Sequence, residues 1–254
     1  MSDLASDSNI SSILTTFEKN LKSVNTLVNF DHFLMDMIID SIEKLHGRLR
    51  KHHHLDNPAL TAEGTIKNLK QIRANDSLRI KYEEIFNLAV VLLVSYFGST
   101  ISDLFKASLT DRLNKKPLEK LLSEEIKFSI RELNESEFNL AETFPDFFVD
   151  KKDISFQDMQ SIYRSFKDYL GIELIKNNHV NNIILAQACR NAIAHAGSLI
   201  DAKLMRQVTN AQPRDIKLEI KLNSKIQFSP EEIEVISASM KNYVENVCQI
   251  ITTV

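Results

Sequence analysis

The sequence predicts an all-α fold, a helical bundle that carries one small β-hairpin near its C-terminus. Three observations predict it. Apolar residues recur at three- and four-residue spacing over most of the chain, the period of one helix face. Five glycines and five prolines in 254 residues are too few for a turn-rich β protein. Only residues 217–228 switch to strict alternation, the period of a strand. The length suits one large domain or two small ones. With no internal repeat and no obvious boundary, residues 1–254 read as a single domain. Its first 60 residues form an N-terminal helical hairpin, and residues 77–254 form the core.

Each element has its own signal. Ile10, Ile13, Leu14, Phe17, Leu21, Val24 and Val28 share one face of a first helix. Asp31 caps a second over residues 32–54, with Phe33, Leu34, Met37, Ile38, Ile42 and Leu45 on its apolar side. Residues 55–65 hold Asn57-Pro58 and Gly64 and read as a loop. A long helix over about 77–114 is apolar nearly all round in its middle, which makes it the central helix. Pro117 opens a further helix to about Leu133. Residues 134–153 are acidic and read as an irregular connection whose aromatics, Phe144 to Phe148, pack back onto the core. Residues 156–170 look helical and stop at Gly171. The pair Asn177-Asn178 leads into a helix over about 180–196, and a short helix follows over 201–210. Leu218, Ile220 and Leu222 then alternate with charged residues, Asn223-Ser224 makes a turn, and Ile226 and Phe228 continue on the other side. Ser229-Pro-Glu-Glu232 is a capping box that opens a last helix to about Ile251.

Composition excludes several classes. Hydrophobic residues at 43% and charged residues at 26% are ordinary for a soluble globular protein. A net charge of −3 argues against a globally basic nucleic-acid coat and leaves room for a local basic groove. Two cysteines, Cys189 and Cys248, make no disulfide framework and fit a reducing cytosol. Cys189 precedes Arg190 and has the position of a nucleophile, but Ala186 and Ala188 beside it favour a buried packing thiol. The N-terminus lacks the basic and apolar regions of a secretory signal. The longest apolar run, Leu88 to Val94, is far short of a membrane span. The expectation is a cytoplasmic protein with no membrane contact. No Walker-type, Rossmann, zinc-protease or Gly-x-Ser-x-Gly pattern occurs.

One stretch stands out: Arg190-Asn-Ala-Ile-Ala-His195, followed by Ala196-Gly197. It sets a fixed cation, an amide and an imidazole at the end of an otherwise apolar helix, which avoids such groups unless they are paired or used. Gly197 suits the left-handed position just past a helix C-terminus, so His195 belongs to the last turn. There the helix dipole favours imidazolium by ~0.3–1 kcal/mol. A histidine near its titration point beside a permanent cation suits phosphate chemistry.

Arg190 to His195 resembles the Arg-x4–6-His motif of the HEPN superfamily of helical domains. The likeness extends to the Leu170-Gly171-Ile172 break and the long apolar helix upstream, and spans roughly residues 77–254. It implies a HEPN-type helical bundle that acts as a metal-independent endoribonuclease, often a toxin or an antiviral-defence effector. It also implies a homodimer in which two motif helices face each other across a shared cleft. Arg190 matches the motif arginine, Asn191 the polar residue that commonly follows it, and His195 the motif histidine. The likeness departs in the long helix. Many family members carry an acid there after an aromatic, whereas Gly98 follows Phe97 and Asp103 is the next acid.

The helix period adds a constraint. Asn191 and His195, four apart, share a face, while Arg190 lies ~100° round from Asn191. The arginine stem must bend back, or a partner subunit must complete the site. In the catalytic reading His195 moves a proton during attack of an RNA 2′-hydroxyl on the adjacent phosphorus. Arg190 stabilises charge on the non-bridging oxygens, and Asn191 orients the phosphate or the imidazole. In the competing structural reading Arg190 pairs with a carboxylate and His195 closes the helix through a carbonyl.

Two basic clusters bear on RNA. His52-His53-His54 points three ways on a helix with no matching Cys/His cluster, so it reads as a solvated basic end rather than a metal site. Lys203, Arg206 and Arg214, with Lys217, Lys221 and Lys225, follow the motif and form the preferred RNA-binding track, unless they are an ordinary solvated face. No cofactor and no metal is expected. The expected partners are RNA, a second copy, and an antitoxin or other regulatory protein. Two other readings stand beside the nuclease. One is a noncatalytic HEPN-like module that binds a nucleotide or a protein. The other is an adaptor working through the N-terminal helices.

Overall fold

The computed structural model describes residues 2–53, 62–76, 79, 83–115, 117–195 and 197–253. In chain order its helices are α1 (Ser2–Val28), α2 (Phe30–His53), α3 (Glu63–Ala74), α4 (Glu83–Lys115), α5 (Glu119–Leu122) and α6 (Ile130–Glu135). They continue as α7 (Leu140–Lys151), α8 (Met159–Ser165), α9 (Asn178–His195), α10 (Ala202–Val208) and α11 (Pro230–Thr253). A π-turn, Phe166–Leu170, extends α8. The fold is all-α.

α4 forms the centre because its sequence leaves no polar face to turn outward over its middle turns. Leu93, Phe97, Ile101, Leu104 and Phe105 are fully buried, each contributing about 1.5–3 kcal/mol on removal from water. α1 lies along α4 through Phe17, Leu21, Val24 and Val28, and α9 and α11 pack on it as well. α7 and the π-turn cover the C-terminal half, where Phe105 meets the rings of Phe156 and Phe166. Among the described helices α4 alone is long and apolar enough to cross a membrane, and in this fold it is the core helix. The capping box expected at residue 229 is present: Ser229 N–H donates to Glu232 Oε2 at 3.0 Å, and Glu232 N–H donates to Ser229 Oγ at 3.3 Å. Gly171, at φ +70°, ends the π-turn as the sequence suggested.

Four expectations are corrected. The C-terminal β-hairpin does not form, and no strand occurs among the described residues, only one isolated bridge between Leu199 and Lys225. Its turn pairs instead with the chain leaving α9. Ile200 N–H donates to Ser224 O at 3.0 Å, and Ile226 N–H donates to Ser198 O at 2.7 Å. The alternation misled because Leu218 and Leu222 are exposed and Ile220 is only half-buried, while Ile226 and Phe228 enter the core. The helix expected from Pro117 to Leu133 breaks into α5 and α6, since Ser129 and Glu132 form a capping box that starts a new helix. Residues 134–153 are not irregular. Phe144 and Phe148, four apart, stack along α7, and Phe148 packs edge-on against Tyr169 at 4.8 Å. Finally, α1 and α2 do not form a hairpin. α1 belongs to the core, and α2 leaves it after Asn29 to pair with α3. The expected loop over 55–65 lies mostly outside the described residues, as do the side chains of His52 to His54.

Gly98 has a packing reason. A Cβ there would sit 3.2 Å from the Phe156 carbonyl oxygen, backbone that cannot swing aside. The segment before α8 therefore lies directly on the glycine, and an acid at this position has no room. Gly98→Asp is expected to cost at least about 2 kcal/mol through overpacking and a buried charge. Urea unfolding checks this, with an unchanged midpoint as the contrary result.

Candidate active site at the end of α9

α9 is buried along most of its length, and the asparagines Asn181 and Asn182 near its entry fasten a loop. Asn182 is completely buried. Its Nδ2 donates to Asp215 Oδ2 at 2.9 Å and Ser239 Oγ at 3.1 Å, and its Oδ1 accepts from Asp215 N–H at 3.0 Å. Asn181 Nδ2 donates to Pro213 O at 2.7 Å. Val180, Ile183, Leu185 and Ala186 fill the contact with the rest of the bundle. At the other end Gly197 takes φ +59°, as its place after the last turn requires, and Ser198 N–H returns to Ala192 O at 3.2 Å.

The motif residues occupy this second end. Arg190 and Asn191 are half-buried, and His195 is exposed in the last turn. Arg190 Nη1 donates to Asn191 Oδ1 at 3.0 Å. The stem thus bends toward its neighbour, and the two side chains meet despite their angular offset on the helix. His195 shares the Asn191 face but makes no side-chain hydrogen bond among the described residues. Neither half of the structural reading is realised there: Arg190 has no carboxylate partner, and His195 does not cap through a carbonyl. Arg190 Nε is buried without a partner. An unpaired buried donor costs about 1–3 kcal/mol, so the guanidinium is held by one bond and left under-satisfied.

A residue the sequence reading missed joins this cluster. Gln187 lies one turn before Arg190 and Asn191, on the same face. It is buried, and its Nε2 also lacks a partner. Two unpaired buried donors three residues apart are unusual, because buried polar groups are normally satisfied. The signal was available in the sequence: Gln187, Asn191 and His195 repeat every four residues along α9.

Of the proposed RNA-binding residues, Lys203 and Arg206 are exposed on α10, which packs on α9 through Leu204 and Val208. Arg214 does something else. It is buried, and its guanidinium donates to the carbonyls of Lys217 at 2.9 and 3.0 Å, Ala211 at 3.2 Å and Val208 at 3.4 Å. Those bonds close the loop before α11, so Arg214 is withdrawn from the phosphate track. Lys217 is likewise engaged, with Glu232 Oε2 at 2.7 Å, and Lys225 pairs with Glu84 at 2.7 Å. Burial pushes the Cys189 thiol up to about 12, which makes it a packing group rather than a nucleophile. No cluster of three metal-ligating side chains occurs among the described residues.

No family model, curated protein or solved structure matches the chain.

Arg214→Ala is expected to lower unfolding stability by about 2–4 kcal/mol, because three carbonyls lose the four hydrogen bonds they accept. Lys203→Glu and Arg206→Glu should each stay within about 0.5 kcal/mol in the same urea titration. Cys189 should resist iodoacetamide at pH 8 in the folded protein and react fully in urea. Rapid labelling without denaturant contradicts its burial.

Proposed function

We propose that the chain is a metal-independent endoribonuclease of HEPN type, with its site at the C-terminal end of α9. The observation that carries this reading is the state of Arg190: a half-buried guanidinium with no carboxylate partner among the described residues, bonded only to Asn191, five residues before an exposed histidine. A half-buried cation kept under-satisfied is suited to a ligand's negative charge, and an RNA phosphodiester supplies it. Lys203 and Arg206 on the adjoining α10 extend the positive surface for neighbouring phosphates.

In this mechanism the RNA 2′-oxygen forms a bond to the adjacent phosphorus as its proton leaves. The bond from phosphorus to the 5′-oxygen breaks, and that oxygen takes up a proton. His195 serves the proton transfers, and Asn191 holds the Arg190 guanidinium toward the non-bridging oxygens. The products are a 2′,3′-cyclic phosphate and a 5′-hydroxyl. A second copy facing α9 completes the site. α4 favours such pairing, since Leu88 is exposed and Leu92 and Tyr96 are half-buried on a helix apolar nearly all round. An antitoxin or other regulatory protein restrains the activity in a cytoplasmic setting, where RNA is the substrate.

A noncatalytic binding module is the second reading. It is favoured by the Arg190–Asn191 bond and by His195 having no orienting side-chain partner among the described residues, since catalytic imidazoles are commonly held by a second group.

Incubation of the protein with mixed cellular RNA in EDTA separates the two. Cleavage with 2′,3′-cyclic phosphate ends is expected, falling at least ~100-fold in Arg190→Ala and in His195→Ala with thermal stability retained. RNA carrying 2′-deoxy substitution should survive. Binding without turnover supports the second reading, and equal cleavage of both substrates rules out the 2′-hydroxyl mechanism.

A further inference from the structure

Residues 218–222, Leu-Glu-Ile-Lys-Leu, keep the alternation of a strand but have no strand beside them. Leu218 is 69% exposed and Leu222 54%, at the two ends of the segment. Among the described residues none of its five backbone N–H groups has an acceptor, and of its carbonyls only that of Lys221 is bonded, by Ser224. A row of open donors and acceptors on a strand-like sequence is a template for another chain. The backbone bends at Leu218 and Glu219, and the segment is tied just past its end, where Asn223 N–H donates to Ile200 O at 2.8 Å.

The charges of the segment select one way to pair it with itself. Glu219 and Lys221 are exposed, and neither has an ion-pair partner among the described residues. Lys217, by contrast, is held by Glu232. In an antiparallel pair, opposed residues share one face, and like charges directly opposite are destabilising. Pairing about Glu219 sets that residue against itself, and pairing about Lys221 does the same for the lysine. Only pairing about Ile220 engages all five residues. Glu219 then opposes Lys221 in both directions, Leu218 opposes Leu222 in both directions, and Ile220 meets itself. Beside the segment, an open cavity of about 390 Å³ borders α10, with Met205, Val208, Leu218 and Ile220 among its lining residues.

We infer that residues 218–222 are a self-pairing strand that docks antiparallel on the same segment of a second copy, across a two-fold axis at Ile220. The contact is isologous, one segment complementary to itself. It is not a hairpin within the chain, since Ile226 and Phe228 stay in the core. A two-stranded ribbon alone is marginal in water. Here Ile220 packs against the core of each copy, and Leu222 of the second copy, opposite Leu218, enters the cavity beside α10. The inference does not rest on the nuclease reading, and its test needs no RNA. Where the motif faces also pair, the strands link dimers, so the measure is a change in mass rather than one fixed stoichiometry.

The full chain tests the register through cysteine placement. The native Cys189 and Cys248 are buried and leave the background low. Under mild oxidant, Glu219→Cys mixed with Lys221→Cys should form an interchain disulfide at least ~10-fold faster than either variant alone. Opposed residues come within disulfide reach, whereas diagonal ones lie ~7–8 Å apart. Glu219→Lys and Lys221→Glu should each lower the light-scattering mass, because like charges then face one another. The far-UV helical signal should be retained, since both side chains are exposed. An equimolar mixture of those two variants restores every unlike pair and should regain the wild-type mass. The inference is overturned if the cysteine mixture links no faster than its components, or if the charge-swapped mixture stays at the lower mass. It is equally overturned if Lys221→Glu lowers the mass and Glu219→Lys does not, which marks a lysine that binds an anion.

Discussion

The seating of α9 against α4 and α11 is the constraint on which the rest of the structure depends. Val180, Ile183, Leu185 and Ala186 are out of water along it, while Asn182 ties the same helix to Ser239 of α11 and to the backbone at Asp215. Apolar contact sets the depth of the helix and the buried amide sets its register. A helix fixed in this way cannot rotate to hide Arg190 or His195, so its last turn carries polar groups at a boundary that packing alone would make apolar.

That rigidity gives the site its electrostatic character. Elsewhere the molecule satisfies its cations carefully: Arg214 is spent on backbone carbonyls, Arg79 on Asp31, and Lys217 on Glu232. Arg190 differs, with one neutral acceptor at Nη1 and a buried unpaired Nε, and Gln187 adds a second unpaired donor on the same face. Structures tolerate such deficits when a ligand or a partner supplies the missing acceptor. An anion bound there recovers part of the cost of desolvating the guanidinium, and this couples the fold to the proposed chemistry.

Much of the architecture was legible in the residues. The period of α1, the all-round apolarity of α4, the Gly197 terminus of α9 and the Ser229 capping box are local signals, and each survives in the fold. What misled the reading was tertiary. Residues 217–228 alternate as a strand does, but the neighbour available to them is the short chain segment after α9, so they make only a few backbone bonds to it and leave Leu218 and Leu222 in water. The Ser129–Glu132 capping box was present in the sequence and outweighed a continuous helix from Pro117. Arg214 looked like its basic neighbours because composition does not reveal which cation lies over a ring of carbonyls. The outward face of α2, with Phe33 and Leu45 exposed, was invisible for a related reason: periodicity identifies an apolar side and says nothing about what covers it.

In the proposed function the Arg190 guanidinium is left open for a phosphodiester. Its side-chain N–H resonances, followed by NMR during titration with a non-cleavable 2′-deoxy dinucleotide, test that most directly. A saturable shift of the Arg190 signals that is lost in Arg190→Lys, with the Arg214 signals unmoved, is the expected result. Arg190 signals that stay still while the dinucleotide binds elsewhere would contradict the account.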